Sequence, residues 1–152
     1  MLCIRCIKEV RFKFLEENTL RLEIIQPYHP TNVKIFSKVY MSQLTLPVLA
    51  GLIPSDAEVS ITDENVQAID FEKPIDLVCI TTLTPSAPRA YQIADEFKKR
   101  GVTVVLGGVH ATLLPGEASA HADAVVVGEA EKILPRLLED FKKGKLQSIY
   151  QS

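Results

Sequence analysis

The residues best suited to bind a ligand lie in short segments that each follow an apolar, strand-like run. Two segments contribute hydroxyls and glycines: Thr81 and Thr82 can hydrogen-bond a ligand, and the adjacent Gly107 and Gly108 let one approach the backbone closely. The same residue types are common at strand ends and in tight turns without any ligand, so both interpretations stay open. The four segments are 27–30, 81–85, 107–110 and 128–131.

Histidines and carboxylates in these segments offer a second kind of chemistry. His29 and His110 could ligate a metal or be ordinary loop residues, and Glu129 and Glu131 could border a ligand or favour the start of a helix. The sequence contains no G-x-G-x-x-G, Walker or H-E-x-x-H pattern and no nucleophile elbow. It therefore indicates a binding fold, and we assign no catalytic residue and no metal ligand to it.

Three cysteines cannot close a disulfide framework. Cys79 lies inside an apolar run and is predicted to pack as a small hydrophobic residue. Cys3 and Cys6 form a C-x-x-C, which could be a redox pair or half of a metal site. Because neither a strand-then-helix context nor a second pair of ligands accompanies it, an incidental pair is the favoured interpretation.

Length and composition favour one globular domain. The chain has 152 residues, of which 47% are apolar and 24% charged, a balance typical of a folded protein. The net charge of −2 provides no basic excess for nucleic acid or a membrane surface. The longest uncharged run, 39–55, is too short and polar to span a bilayer, and charges interrupt any signal-like N-terminus. We expect a cytoplasmic protein without nucleic-acid or membrane partners.

From residue 20 onward, strand-like runs alternate with helix-period segments. A short helix over 44–52, a helix capped by Ser86 and ended by Gly101, and a helix beginning no earlier than Glu131 connect the strands, with a loop containing one helical turn over 115–120. This alternation predicts right-handed crossovers and an open, mostly parallel five-stranded sheet of the Rossmann/flavodoxin-like type, with helices on both faces. The predicted strands are 20–26, 58–62, 76–81, 102–106 and 124–127.

In such a sheet, ligands bind outside the carboxyl ends of the strands, so the four segments should meet at one rim. Residues 1–19 do not fit the alternation. Val10, Phe12 and Phe14 alternate with charges as in a hairpin, yet a first strand inside the sheet has no free edge for such a partner. We treat 1–19 as an N-terminal extension and 20–152 as the α/β domain.

Several short motifs occur in an order that resembles a known family. The most specific is G-G-x-H followed by D-A-V-V-V-G-E-A-E, and the match runs from about residue 20 to the end. The family is the N-terminal cobalamin-binding domain of cobalamin-dependent radical S-adenosylmethionine enzymes. The motifs are Asp63-Glu64-Asn65-Val66, Asp76-Leu77-Val78, Gly107-Gly108-Val109-His110, Pro115, 122–131 and Ile149-Tyr150.

The resemblance implies a corrinoid across the carboxyl edge of the sheet, with its nucleotide tail descending into the domain. Related domains that coordinate cobalt through histidine carry D-x-H-x-x-G after the first strand, where this chain has 26–30, QPYHP. We therefore expect base-off binding without histidine coordination. By position, the implied cofactor-binding residues are Thr81, Thr82, Gly107, Gly108, His110, Gly128 and Glu129.

The resemblance also implies a radical domain downstream in a parent protein, interpreted as a methyltransferase. That domain would carry a C-x-x-x-C-x-x-C triad, an iron–sulfur cluster and S-adenosylmethionine, none of which is expected in this piece. Two alternatives stay open. One is a flavodoxin-like domain that binds a flavin or another nucleotide cofactor on the same edge, and the other is a docking domain without a cofactor.

Overall fold

The computed structural model describes residues 19–28 and 44–152 of the chain. The predicted N-terminal hairpin, the Cys3–Cys6 pair and His29 lie outside the described residues. Among the described helices, none is long and apolar enough to cross a membrane.

The core of the fold is one parallel sheet with the order β2-β1-β3-β4-β5-β6. The predicted open α/β fold is confirmed, and the order of its first five strands is that of flavodoxin-like domains. The sheet has six strands instead of the predicted five, because Ile149–Gln151 pairs with β5 at the edge. The strands are β1 Leu20–Gln26, β2 Ala57–Asp63, β3 Leu77–Thr81, β4 Thr103–Gly107, β5 Ala124–Val127 and β6 Ile149–Gln151.

Five described α-helices and two 3₁₀ turns connect these strands. The helical turn predicted over 115–120 is present as the short helix Pro115–Ser119, whereas a second short helix, Val109–Leu113, begins in the segment 107–110, predicted as a loop. The prediction for Ser86 is also wrong in detail: its hydroxyl bonds the backbone of Leu83 and does not cap the helix that follows. The helices are α1 Thr45–Gly51, α2 Ala87–Lys99, α3 Val109–Leu113, α4 Pro115–Ser119 and α5 Leu134–Lys142, and the turns are Thr84–Ser86 and Ala130–Lys132.

The predicted start of the last helix is confirmed. The chain passes through the 3₁₀ turn and enters α5 at Leu134, which places Pro135 in the first helical turn. A proline there removes no helical hydrogen bond, because the first N–H groups of a helix have no partner within it.

Each face of the sheet supports its own hydrophobic core. On one face, α2 packs through Ile93 and Phe97, and the small residues Ala111 and Ala118 bring α3 and α4 close. On the other face, α1 contributes Leu46 and α5 contributes the fully buried Leu137 and Leu138. Burial on both faces explains why the central strands read as continuous apolar runs.

The motif that follows β2 links three segments at the carboxyl end of the sheet. Glu64 accepts hydrogen bonds from the backbone N–H of Tyr28 at 2.8 Å and from Nε of Arg89 on α2 at 2.9 Å. Asp63 accepts bonds from the backbone and side-chain amides of Asn65 at 2.9 and 2.7 Å, which holds the turn. The Asp63-Glu64 motif thus has a structural role in fixing the loops after β1 and β2.

A second carboxylate links the amino ends of β1 and β3, at the edge of the sheet opposite these loops. Asp76 precedes β3 and accepts hydrogen bonds from the backbone N–H of Arg21 on β1 at 2.8 Å and from its guanidinium at 2.8 and 3.2 Å. The side-chain hydrogen bond from Arg21 lowers the pKa of Asp76. Because the pair is partly exposed, its contribution to stability is that of a surface ion pair plus one backbone bond.

Replacing Asp76 by asparagine should lower the free energy of unfolding at neutral pH by about 1 kcal/mol. A carboxyl whose pKa is depressed in the folded state stabilises the protein above its unfolded pKa of about 3.9 and loses that contribution as the pH falls through the folded value. Urea titrations at pH 7 and near pH 3 should therefore show a difference between wild type and Asp76→Asn that shrinks in acid. A difference that grows on acidification would contradict the assignment.

Candidate functional site

A cavity of about 430 Å³ opens at the carboxyl end of the sheet, on the face covered by α1 and α5. Its floor is apolar and comes from four neighbouring strands. Because side chains alternate between the two faces of a strand, each of these strands contributes to the floor a residue that points toward α1 and α5. The floor residues are Ile24, Cys79, Val105 and Val126.

Two helical segments form the side walls of the cavity. On one side lie Val48 and Leu49 of α1 with Ile53 after it. On the other lie Ala130 of the second 3₁₀ turn and Leu134 at the start of α5. Leu44 and Val48 are exposed large apolar side chains at this wall. The cavity is therefore a cleft between two helices above the sheet, a common position for ligand sites.

A row of three residues crosses the sheet at the top of the floor. Continuing the register of β1 with β3 places Gln26 beside Thr81, and Thr81 pairs directly with Gly107. The hydroxyl of Thr81 donates a hydrogen bond to Oε1 of Gln26 at 2.9 Å. All three residues line the cavity. The row places a polar carboxamide–hydroxyl pair next to a residue with no side chain.

Thr82 and Gly108 shape the rim through contacts with each other. The Thr82 hydroxyl donates to the carbonyl of Gly107 at 2.7 Å and accepts from the N–H of Ala111 at 3.2 Å. Gly108 has φ of +96°, and a Cβ built on it would lie 2.7 Å from the carbonyl oxygen of Thr82. The hydroxyl of Thr82 is thus used within the protein, and Gly108 is required for close packing of two loops.

The loop after β5 forms the remaining part of the rim. Gly128, with φ of +90°, precedes Glu129, and both line the cavity together with Glu131. Both glutamates are exposed, and no described basic side chain forms an ion pair with either of them. Two carboxylates therefore stand at the mouth of a mostly apolar cavity, where they can accept hydrogen bonds.

His110 is placed differently from the expectation that it lies beside these residues in a loop. It is the second residue of α3, only 5% exposed, and does not line the cavity. Its Nδ1 lies 3.3 Å from Oγ1 of Thr84 and its Nε2 lies 3.4 Å from Oε1 of Glu117. Since α3 packs on the opposite face of the sheet, His110 contributes to the structure behind the rim.

The prediction that Cys79 packs as a small hydrophobic residue is confirmed. It is buried at the cavity floor, and desolvation raises the pKa of its thiol to about 12. A thiol with this pKa stays protonated and is neither a nucleophile nor a good metal ligand at neutral pH. In the described part of the chain, no group of three or more His, Cys, Asp or Glu side chains could hold a metal ion.

The structure brings six of the seven residues predicted to bind a cofactor to one cavity, and leaves His110 outside it. Sequence reasoning missed the α1 wall, the floor and Gln26. A signal for Gln26 existed, because the last residue of β1 must lie beside the strand-end threonine of β3 once the order of the strands is known. The six residues are Thr81, Thr82, Gly107, Gly108, Gly128 and Glu129.

Comparison with known proteins gives consistent matches. Bacteriochlorophyllide d C-8(2)-methyltransferase of Chlorobaculum tepidum is 46% identical over 110 residues, which are 72% of this chain and 24% of that protein. The C-12(1)-methyltransferase of the same organism is 35% identical over 132 residues, 85% of this chain and 29% of that protein. The chain spans about a quarter of the length of these curated relatives.

A solved structure shows a weaker similarity. The N-terminal domain of a hypothetical protein of Thermotoga maritima superposes with a TM-score of 0.46 and 20% identity, over 57% of this chain and 74% of that one. The family model described as the B12 binding domain matches residues 37–138, which include the α1 wall, the Gln26-facing threonine of β3 and the whole rim from Gly107 to Glu131. This chain belongs to the B12-binding domain family.

Proposed function

We propose that the domain holds a cobalamin at the carboxyl rim of its sheet, with the nucleotide tail in the cavity between α1 and α5. The observation that carries this proposal is the cavity itself, which opens at the rim and whose lining, apart from Ile24 and Gln26, lies within residues 37–138 that match the B12 family model. Its volume lies within the range of small-molecule sites, roughly 300–1,000 Å³. An apolar floor suits the flat, heteroaromatic base at the end of such a tail.

The chemistry of the lining residues fits this cofactor. Gly107 leaves room at the point where a tail would pass the sheet, because a Cβ there would contact only Val126, at 3.6 Å. The carboxylates of Glu129 and Glu131 can accept hydrogen bonds from the amide substituents of a corrin ring. Thr82 and Gly108 act indirectly, by fixing the shape of the rim, and His110 supports that shape from the other face.

We further propose that the domain belongs to a larger methyltransferase of the radical S-adenosylmethionine class. The names of the relatives, both bacteriochlorophyllide methyltransferases, support a methyl transfer and favour a tetrapyrrole substrate. Bound cobalamin would serve there as the carrier of the methyl group. The role of this chain's residues is to bind the cofactor, orient it across the rim and shield its tail from water.

Titration of the purified protein with hydroxocobalamin tests the proposal. We expect a change in the visible spectrum that saturates with one cofactor per chain, and colour that stays with the protein after desalting. A thermal-shift series with flavin and adenine nucleotides serves as the control, because a ligand at a hundredfold its dissociation constant adds about 2.7 kcal/mol to the free energy of unfolding. Stabilisation by a flavin without a spectral response to cobalamin would refute the proposal.

A further inference from the structure

Gln26 is, with Thr82, a buried polar residue of the cavity, and its carboxamide calls for an explanation. It is the last residue of β1, it lines the cavity, and its side chain is only 3% exposed. Its inward-facing predecessor on the same strand is the fully buried Ile24. An apolar residue would satisfy packing at this position, so a carboxamide there costs desolvation energy unless its polar atoms are bonded.

The oxygen and the nitrogen of the Gln26 carboxamide differ in their hydrogen-bond partners. Oε1 accepts the hydroxyl of Thr81 at 2.9 Å, which fixes the orientation of the side chain. For Nε2, no acceptor occurs among the described residues. Nε2 is not one of the two fully enclosed side-chain atoms without a partner in the part of the chain that the structure describes, Glu23 Oε2 and Tyr91 Oη, so this N–H keeps access to the cavity and is available to a ligand that carries an acceptor.

Other polar groups of the described cavity wall do not offer an equivalent donor. The hydroxyl proton of Thr81 is given to Gln26 and that of Thr82 to the carbonyl of Gly107. The carboxylates of Glu129 and Glu131 only accept, and the thiol of Cys79 is a weak donor. Thr45 is exposed at the α1 wall. Gln26 thus carries the strong side-chain donor at the junction of floor and rim.

We infer that Nε2 of Gln26 is the donor for the imine nitrogen of the cobalamin lower base when the cofactor is bound base-off. This inference rests on the proposed function. In base-off binding the imine nitrogen no longer coordinates cobalt, so its lone pair enters an apolar cavity and needs a hydrogen bond. Gln26 then determines selectivity for corrinoids with a nucleotide tail over those without one, and Thr81 is a positioning residue that holds the carboxamide.

The test compares cobalamin with cobinamide, which has the corrin ring but lacks the nucleotide tail. Wild type should bind cobalamin more tightly than cobinamide. Gln26→Met keeps the length and apolar volume of the side chain but has no N–H, so it should raise the Kd of cobalamin about tenfold, or about 1.4 kcal/mol. The Kd of cobinamide should stay unchanged. Both constants come from visible-spectrum titrations, with thermal unfolding as a check of the fold.

Gln26→Glu provides a second variant if the Gln26→Met protein does not fold. In its ionised form it retains an acceptor for the Thr81 hydroxyl but lacks the donor, so titrations at alkaline pH should show the same selective loss for cobalamin. An equal loss for both corrinoids, or no loss in either variant, would overturn the inference and leave cobalamin binding intact. If wild type bound neither corrinoid, the proposed function itself would fail.

Discussion

Replacing Gly107 by phenylalanine should abolish cobalamin uptake while leaving the free energy of unfolding nearly unchanged. Gly107 ends β4 with an ordinary backbone conformation, and a Cβ there meets only Val126 at an ordinary contact distance. The strand therefore accepts a side chain, and aromatic residues are favourable in strands. That side chain would occupy the cavity at the row formed by Gln26, Thr81 and Gly107. We expect the Kd to rise by at least about a hundredfold, or 2.8 kcal/mol at 1.4 kcal/mol per tenfold.

Gly116→Phe is the matched control for this variant. Gly116 is exposed on α4, a Cβ placed on it would have no neighbour within 4 Å, and it does not line the cavity. The substitution adds the same apolar volume on the opposite side of the sheet. Cobalamin titration and urea unfolding of both variants distinguish a blocked cavity from a destabilised fold. Normal uptake by a folded Gly107→Phe protein would show that the cofactor does not use this cavity.

Replacing Gly108 by alanine should instead destabilise the fold, by about 3 kcal/mol or more in the free energy of unfolding. The residue combines a left-handed φ of +96° with contacts that a Cβ cannot make, 2.7 Å from the oxygen and 2.9 Å from the nitrogen of Thr82. The neighbouring atoms are backbone atoms of a fully buried residue, so they cannot rotate away. Denaturant unfolding followed by circular dichroism measures the loss.

Gly101→Ala isolates the backbone component of this effect. Gly101 follows α2 with φ of +76°, and a Cβ placed on it would have nothing within 4 Å. This substitution should cost only about 1 kcal/mol, the penalty of a left-handed conformation. If the two alanine variants lost equal stability, the contact with Thr82 would have no energetic weight. A large loss at Gly108 means that weak cofactor binding by its variants reports damage to the fold.

Much of the fold could be predicted because its central strands are buried on both faces. The bounds of β1 and β5 agree with the apolar runs of the sequence. The sixth strand was missed because it has three residues, of which only Tyr150 is buried, so neither a run nor an alternation marks it. The helix α3 was missed for a related reason: it has only five residues, too few for a helical period, and it directly follows two glycines. The helical turn that α4 forms was predicted.

The candidate site was predictable where it depends on topology and unpredictable where it depends on side-chain direction. Because ligands of open parallel sheets bind at the carboxyl ends of the strands, the strand-end threonines and glycines could be assigned to one rim. It could not show that the helix after Gly108 begins immediately, which turns His110 inward onto the other face. Nor could spacing show that Thr82 directs its hydroxyl at Gly107, since this depends on the distance between two loops.

The bonds of Thr82 make half of the binding cleft rigid before any ligand arrives. Its backbone N–H donates to Gly107 and its carbonyl accepts from His110, in addition to the two bonds of its hydroxyl, so the loops after β3 and β4 form a single cross-linked unit. The wall formed by the seven-residue α1 has no comparable set of side-chain bonds among the described residues. We therefore expect the loss of conformational entropy on binding of the proposed cofactor to be concentrated in α1, with the glycine–threonine side contributing preorganised geometry.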